Sequence, residues 1–535
     1  MDGGLRGAAA VSRRRSWWGW GWEDAAVAGA ELERLAGLLG GFLGDPGRPR
    51  EAPEPADLGL PTPRVQPPGA LAAIADASDA GRAAHSHGLS FPDIVAALEG
   101  DLDAPCDLVL RPRDEAGVTA VLDWCSTDGI AAVPFGGGTS VVGGVTPRVG
   151  DAYAGAVSLD VGGLDRVLEV DIASRAARVQ AGVLGPALED ALRPHGLTFR
   201  HLPQSYEFSS VGGWLATRSA GHHSTLHTHV DDRVEGMRAI TPRGTLETRR
   251  LPASGAGPSP DRLLLGSEGA LGVITEAWLR VVARPGFRAS AAVRFADFTG
   301  GARATRALGQ SGLLPATCRL IDATEALINN AGDGSACLLL LGFESADHRV
   351  EADLRRGLEL CVDHGGVPDP PREGRDDAAG SWRSAFIRLP YVRDAILRLG
   401  HIVDTFETAI TWDRFEELWG TVMERTRAAV TDVCGAGLVT CRLTHVYPDG
   451  CAPYFTLFAR SRHGAQRAQW AELKAAASEA ILAAGGTITH HHAVGRDHRP
   501  WYDRQRPPLA AEALAAAKRA LDPAWILNPG VLLDR

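Results

Sequence analysis

Three consecutive imidazoles, His490, His491 and His492, stand in THHHAVGRDH (489–498). Histidine serves as metal ligand, proton carrier and surface residue alike, so the run alone leaves all three roles open. Upstream, THVYPDGCAPYFT (444–456) carries His445 and Tyr454, a further imidazole and a phenol. A different chemistry is written in PFGGGTSVVGG (134–144), where a strand ends in glycines that permit close backbone approach and positive φ. Successive N–H groups in such a loop form an anion nest suited to a pyrophosphate. The loop lacks the GK[ST] ending of a Walker motif and the G-x-G-x-x-G spacing of a Rossmann turn. Alone it would be a turn more often than a phosphate site. It has company in QSYEFSSVGGWLATRSAG (204–221) and GSEGALGVIT (266–275), also rich in glycine and hydroxyl or acidic side chains. Three such segments within one α/β region point to loops converging on one long polar ligand.

The elements that must position these residues follow from periodicity. Short β-branched runs (IAAVPF, AVSLDV, ARVQAGV) alternate with helical stretches (EAGVTAVLDWCSTDG, LGPALEDALRPHG) between about 106 and 284. Gly129 and Gly196 stand at the expected helix C-caps. From 285 to 440 the order strand, helix, strand, strand, helix suits an antiparallel sheet with helices on one face. Beyond 440, LTHVYPDG and APYFTLFAR read as two strands, QRAQWAELKAAASEAILAA as a helix, and TIT (487–489) as a strand delivering the histidines. The last helix, LAAEALAAAKRALD, stops at Pro523. The expected fold class is α+β. Its parts are an N-terminal helical and extended arm (1–105) with a Pro-rich stretch (45–70), a ligand-binding domain (106–284), a cap or substrate domain (285–440) and a C-terminal segment (441–535) with Tyr454 and the histidine loop.

With 535 residues the chain exceeds one hydrophobic core. Its net charge of -10 argues against a nucleic-acid partner, which needs a clustered basic surface. The 8 cysteines form no CxxC pair and read as buried thiols of a cytoplasmic protein. Arginines in SRRRSWWGWGWED (12–24) suggest a twin-arginine signal, but Glu23 and Asp24 interrupt before an apolar region begins. The segment LAGLLGGFLG (35–44) is too short to span a bilayer.

PFGGGTSVVGG, P-x-S-x-E-F-S-S-V-G-G-W with ATRSAG, and GSEGALGVITE together resemble the vanillyl-alcohol oxidase-type (PCMH) flavoprotein superfamily. The resemblance implies an FAD-binding domain of two α/β subdomains. The cofactor would contact Pro134, Phe135, Gly136, Gly137, Gly138, Thr139 and Ser140 of the first segment. From the second it would contact Gln204, Ser205, Tyr206, Glu207, Phe208, Ser209 and Ser210, then Thr217, Arg218, Ser219 and Ala220. From the third it would contact Glu268, Gly269, Ala270, Leu271, Gly272, Val273 and Ile274. Thr139 and Ser140 stand where flavin-tethering members have histidine, which implies non-covalent FAD.

Within the superfamily, WGWGWED, HSHGLSFPDI, RLID, YVRD, TFETAITW, APYF, HHHAVG and DPAWILNPG resemble the alkyldihydroxyacetonephosphate synthase family over nearly the full length. That family exchanges the acyl chain of acyl-dihydroxyacetone phosphate for a long-chain alcohol through a flavin N5 adduct, with no net redox change. The resemblance implies Arg393 at the substrate phosphate, Arg319 as a second substrate-binding arginine, Tyr454 as the proton carrier, and His490, His491 and His492 as the active-site triplet. Tyr454 would need a depressed pKa, which nearby cationic or hydrogen-bonding groups could supply. Without the resemblance, Arg393 would be a solvated or ion-paired arginine and Tyr454 a half-buried strand residue. One departure is Gln204-Ser205 where the family often has Asp-Ser.

The competing reading is an FAD-dependent 2-hydroxy acid dehydrogenase, whose pattern HVGDGNLH…EHGIG holds a metal. Here His445 matches the first histidine, the second is missing, and His491 replaces the glutamate, so no metal is expected. A set of His445, His491 and His492 remains chemically able to hold one. The expected partners are lipid-like small molecules; a homodimer and peripheral contact with the inner membrane surface are compatible with them.

Overall fold

The structure, a computed structural model, describes residues 13–44, 47–369 and 378–535, without the side chains of 378–385. Ser12 of the arginine motif and Asp45-Pro46, which open the Pro-rich stretch, lie outside the described residues.

The first half builds two sheets. Strands β1 (Ala75–Asp76), β2 (Leu108–Leu110), β3 (Ala131–Phe135) and β4 (Ala156–Asp160) pair in the order β1-β2-β4-β3, with β4 parallel to both neighbours. The helix Glu115–Asp128 connects β2 to β3: Asp114 caps its start by accepting the Gly117 N–H, and Gly129 ends it at φ 67°. Its Val118, Val121, Leu122 and Cys125, spaced for one helical face, are buried in the domain's core. Strands β5 (Val167–Asp171) and β6 (Ala176–Gln180) precede the short β7 (Leu197–Thr198). With β8 (Val234–Thr241), β9 (Gly244–Glu247) and β10 (Val273–Arg280) they form a second sheet, ordered β5-β6-β10-β8-β9 and antiparallel throughout. β7 pairs with β11 (Val282–Ala283) at the exit from this half.

The second half is one eight-stranded antiparallel sheet. It comprises β12 (Phe287–Phe295), β13 (Thr317–Ile321), β14 (Cys337–Ser345), β15 (Val367–Pro368), β16 (Ile402–Glu407), β17 (Ile410–Thr411), β18 (Gly437–Val446) and β19 (Gly450–Ala459). The order is β15-β12-β14-β13-β18-β19-β16, with β17 on β19. The boundary expected between 440 and 441 therefore falls inside β18: Tyr454 belongs to the cap sheet, not to a separate C-terminal segment. The two β-runs hydrogen-bond to cap strands on both sides, and no linker divides them.

Alternation along the strands decides which face does what. Cys441, Leu443, Phe455, Leu457 and Phe406 enter the core shared with Leu418, Val422 and Leu473 of the covering helices Phe415–Cys434 and Gln466–Ala483. The stacked rings of Phe406 and Phe455, 5.0 Å apart, tie β16 to β19 there and contribute about 1 kcal/mol beyond their burial. Arg319, Arg442, Tyr454 and Glu407 take the opposite parity and share the other face. The N-terminal arm is anchored by its tryptophans: Trp17 and Trp20 are buried, the Trp20 N–H donates to Asp394, and the Trp22 indole donates to Glu207. No helix among the described residues is long and apolar enough to cross a membrane.

Candidate functional site

Tyr454 lies in a row set by strand register. Arg442 on β18 and Glu407 on β16 are its direct cross-strand partners. The Arg442 guanidinium sits 3.9 Å over the phenol ring and is itself ion-paired to buried Glu325. The Tyr454 hydroxyl donates to Thr405 Oγ1 at 2.9 Å. Arg442 and Thr405 do act downward on the phenol, as a proton carrier requires, but burial outweighs them and its pKa is raised. The resting tyrosine is therefore the neutral phenol.

His445 reaches the same face through a β-bulge. Leu443 pairs with Pro453 and His445 with Ala452, so Thr444 is the extra residue. Were the ladder regular, with Thr444 paired, His445 would share the parity of Leu443 and enter the core; the bulge re-aims it beside the triplet. Its ring stacks 5.0 Å from His490, and its Nδ1 contacts the Ser224 hydroxyl. The three atoms that approach one another as potential metal ligands belong to His445, His490 and His491, within 4.8 Å. The set anticipated with His492 is thus replaced by one with His490. Tyr447, two residues beyond the bulge residue's neighbour, brings its hydroxyl to 2.9 Å from His490 Nε2.

The histidine loop is not delivered by a strand. Residues 487–489 form no ladder; the Thr487 N–H meets Ala409 O, and the Ile488 N–H meets the Gln505 side chain. β-branched residues favour a strand only where an edge is available, and here an isolated carbonyl and a side chain take these two backbone donors instead. Two carboxylates hold the loop. Glu407 accepts the N–H groups of His490 (2.7 Å), His491 (3.1 Å) and His492 (3.0 Å) together with the Thr489 hydroxyl (2.6 Å). Glu268 accepts the N–H groups of Val494 (2.9 Å) and Gly495 (2.8 Å). Between the two grips Ala493 takes φ 71°. Tyr454 lies 5.9 Å from His491 and 5.4 Å from His492, ring centre to ring centre. Burial lowers the pKa of His490 and His491 to about 3 and of His492 to about 4, so all three are neutral at physiological pH.

The glycine segments converge as well. A Cβ on Gly136 would meet Ser210 Oγ at 2.3 Å, and one on Gly137 would meet Phe208 O at 2.0 Å, so the first and second segments touch through bare backbone. A Cβ on Gly269 would meet Pro134 at 2.8 Å, which brings in the third. The N–H groups of Gly137, Gly138, Thr139 and Ser140 donate to no protein acceptor among the described residues. A run of orphan donors in a glycine cradle is what a pyrophosphate would satisfy.

Comparison with known proteins matches this arrangement. Residues 106–249 match the "FAD binding domain" family, and residues 284–532 match "FAD linked oxidases, C-terminal domain". The chain thus carries both an FAD-binding domain and the C-terminal domain of FAD-linked oxidases. It is 29% identical to the alkyldihydroxyacetonephosphate synthase of Dictyostelium discoideum over 84% of this chain and 77% of that one. It is 28% identical to the synthase of Trypanosoma brucei brucei at the same coverage. A solved alkyldihydroxyacetonephosphate synthase structure superposes with a TM-score of 0.79 at 25% identity, over 96% of this chain and 98% of that one.

With that binding domain the chain binds FAD. The orphan N–H groups of the first segment fit the dinucleotide's pyrophosphate. Other anticipated contacts have partners already. Glu207 accepts from Trp22, Phe208 packs under Trp20 and Trp22, and the Gln204 amide donates to Phe386 O. Tyr206 lies against Gly185, Arg218 pairs with Asp231, and the Ser219 hydroxyl meets His201. Ser205, Ser209 and Ser210 bond locally, Ser210 as the cap of helix Val211–Thr217, and Thr217 bonds back to Gly213. Ala220 and Ala270 are buried, and Leu271, Val273 and Ile274 place their side chains in the core, leaving only backbone for a ligand. Gly272 packs against Thr241.

Arg393 does not join the Tyr454 row. Its guanidinium donates to Leu89 O and to neighbouring Asp394, where helix Ala378–Arg398 meets the 85–94 segment. Arg319 does join it: buried on the Tyr454 face, it sits 5.2 Å over Phe386, with burial lowering its pKa to about 9. Sequence reading missed Glu407, Arg442, Thr405 and Tyr447. It also missed Arg15, whose guanidinium donates to Gly137 O and lies 5.1 Å over Phe208. Glu407 lies inside the quoted TFETAITW, and a carboxylate directly after Phe406 at the end of strand Ile402–Glu407 was the available signal.

Proposed function

We propose that this protein is an FAD-dependent alkyldihydroxyacetonephosphate synthase, which replaces the acyl chain of acyl-dihydroxyacetone phosphate by a long-chain alcohol. The observation that carries this reading is the convergence on one sheet face of a buried neutral phenol, a clamped histidine triplet and two buried arginines, in a chain similar to such synthases across most of its length. Bound FAD, held without a covalent tether because Thr139 and Ser140 offer no imidazole, supplies an electron sink for the reacting carbon. Tyr454, with Thr405 and Arg442 easing ionisation of its phenol, takes and returns the proton at the carbon beside the ketone. The neutral imidazoles of His490–His492 orient and polarise the reacting oxygens. Arg393 holds the phosphate, which a guanidinium fork suits better than an ammonium, while Arg319 binds the substrate from the Tyr454 face. Arg393→Lys should raise KM for the phosphorylated substrate by about tenfold or more, and an unchanged KM would remove it from that role. The exposed Leu38 and Phe42, one turn apart on helix Gly29–Leu43, support peripheral membrane contact.

The decisive experiment supplies acyl-dihydroxyacetone phosphate and hexadecanol to the purified flavoprotein and identifies products by mass spectrometry. Alkyl-dihydroxyacetone phosphate plus released fatty acid supports the reading; neither appearing ends it. The clustered ligand atoms of His445, His490 and His491 favour a second reading, metal-assisted oxidation of a hydroxy acid. Bleaching of the oxidised flavin band by a hydroxy acid under anaerobic conditions would select it.

A further inference from the structure

We propose that Glu407 is a positioning residue for turnover, fixing where the imidazoles of His491 and His492 stand relative to Tyr454. The inference rests on the reading that the triplet takes part in the reaction. Three consecutive backbone N–H groups, those of His490, His491 and His492, converge on one carboxylate whose side chain has no solvent exposure. Oε1 takes His491, His492 and the Thr489 hydroxyl; Oε2 takes His490. Such a four-donor grip determines the backbone path of the triplet and hence the origin of each ring.

Register ties that grip to the phenol. Glu407 is the cross-strand partner of Tyr454 on the same sheet face, so the strand that carries the anchor also sets the distance to the proton carrier. The carboxylate oxygens lie 3.5 Å from His491 Nδ1 and 3.8 Å from His492 Nδ1, the ring nitrogens nearest to it. A negative charge there favours the tautomer with its proton on Nδ1, which His491 can donate to His490 Nδ1 at 3.1 Å, and leaves Nε2 as the acceptor on both rings. Ionic character has a cost at a site of full burial, which a neutral amide would avoid. The charge is retained where it orients imidazoles.

Glu407→Gln is close to isosteric. Its oxygen can keep the three donors on Oε1, while its NH2 faces the His490 N–H, donor against donor. Glu407→Asp keeps the charge one methylene short. We expect each variant to purify yellow, with kcat lowered about 10- to 100-fold and KM for acyl-dihydroxyacetone phosphate within about threefold of the parent. The control for mechanism is a double-mutant cycle with His491→Ala and His492→Ala. In either histidine background Glu407→Gln should lower kcat by less than about threefold more, because the groups it positions are gone. Full additivity, or loss of flavin in parallel with kcat in both Glu407 variants, would make Glu407 a general structural anchor and overturn the proposal, as would an unchanged kcat in both. Histidine variants that keep full kcat would instead defeat the assignment of the triplet, a separable outcome.

Discussion

Glu407 and Glu268 grip the two ends of one loop, from different halves of the molecule, and end in opposite electrostatic states. Glu407, from the cap sheet, collects three N–H groups and a hydroxyl beside three imidazoles. Burial would raise its carboxyl, but His491, His492 and His490 with the Thr489 hydroxyl more than offset this and hold it below the usual range. Glu268, from the third flavin segment, collects two N–H groups, and burial prevails, pushing it up to about 7. Burial thus yields different charge at the two sites because Glu407 faces three imidazoles, whereas only two N–H groups oppose burial at Glu268. The lesson extends to the halves themselves. The cap side presents side chains aimed at chemistry; the flavin side presents bare backbone and a carboxyl close to changing its charge.

The comparison is broken most severely on the flavin side. Gly137→Ala would place a Cβ 2.0 Å from Phe208 O, where neither backbone can yield, so the variant should purify colourless and fail to take up FAD. A yellow Gly137→Ala protein would show that the loop is not the cradle. On the cap side, Tyr454→Phe should leave flavin content unchanged and lower turnover about 100- to 10,000-fold. Flavin loss in that variant would erase the division between the halves.

The carboxylates themselves sharpen it through pH. Glu268 binds a proton more tightly folded (about 7) than at its ordinary value of 4.5. Folding stability should therefore fall as pH rises from 4.5 to 7, by about 3 kcal/mol for this group. Glu268→Gln should flatten that decline in Tm against pH. Glu407 has the opposite sign: its contribution is present above the ordinary carboxylate range and lost as pH drops below it, so Glu407→Gln and the parent should converge in Tm only in acid. Parallel profiles for the two variants would refute the contrast. The smallest effect is expected from Thr405→Val, which removes the acceptor of the Tyr454 hydroxyl and should cost about 1 kcal/mol, a three- to tenfold fall in turnover, with the alkaline limb moved upward.

Much of this was legible along the chain. The glycine segments, the strands on either side of Pro448-Asp449-Gly450 and the helix ended by Gly485-Gly486 depend on local rules of φ, capping and alternation, and they stand where those rules put them. The site was legible in its types but not in its grouping. TIT looks like a strand because Thr and Ile favour extended backbone; only the fold reveals that side chains of Gln505 and Thr408 take its polar groups. The division at 440 followed a change of texture, while ladder pairing of β18 with both β13 and β19 made one sheet across it.

What the sequence determined by itself was composition of function: a glycine nest without a lysine, a phenol, a triplet of imidazoles and the arginines that accompany them. Tertiary structure alone decided who meets whom. A bulge at Thr444 turned His445 from the core to the site, register set Glu407 and Arg442 on either side of Tyr454, and Arg393 was kept apart on its helix. The reason is physical: parity, register and the accounting of buried backbone donors arise between segments distant in sequence, and no local preference encodes them.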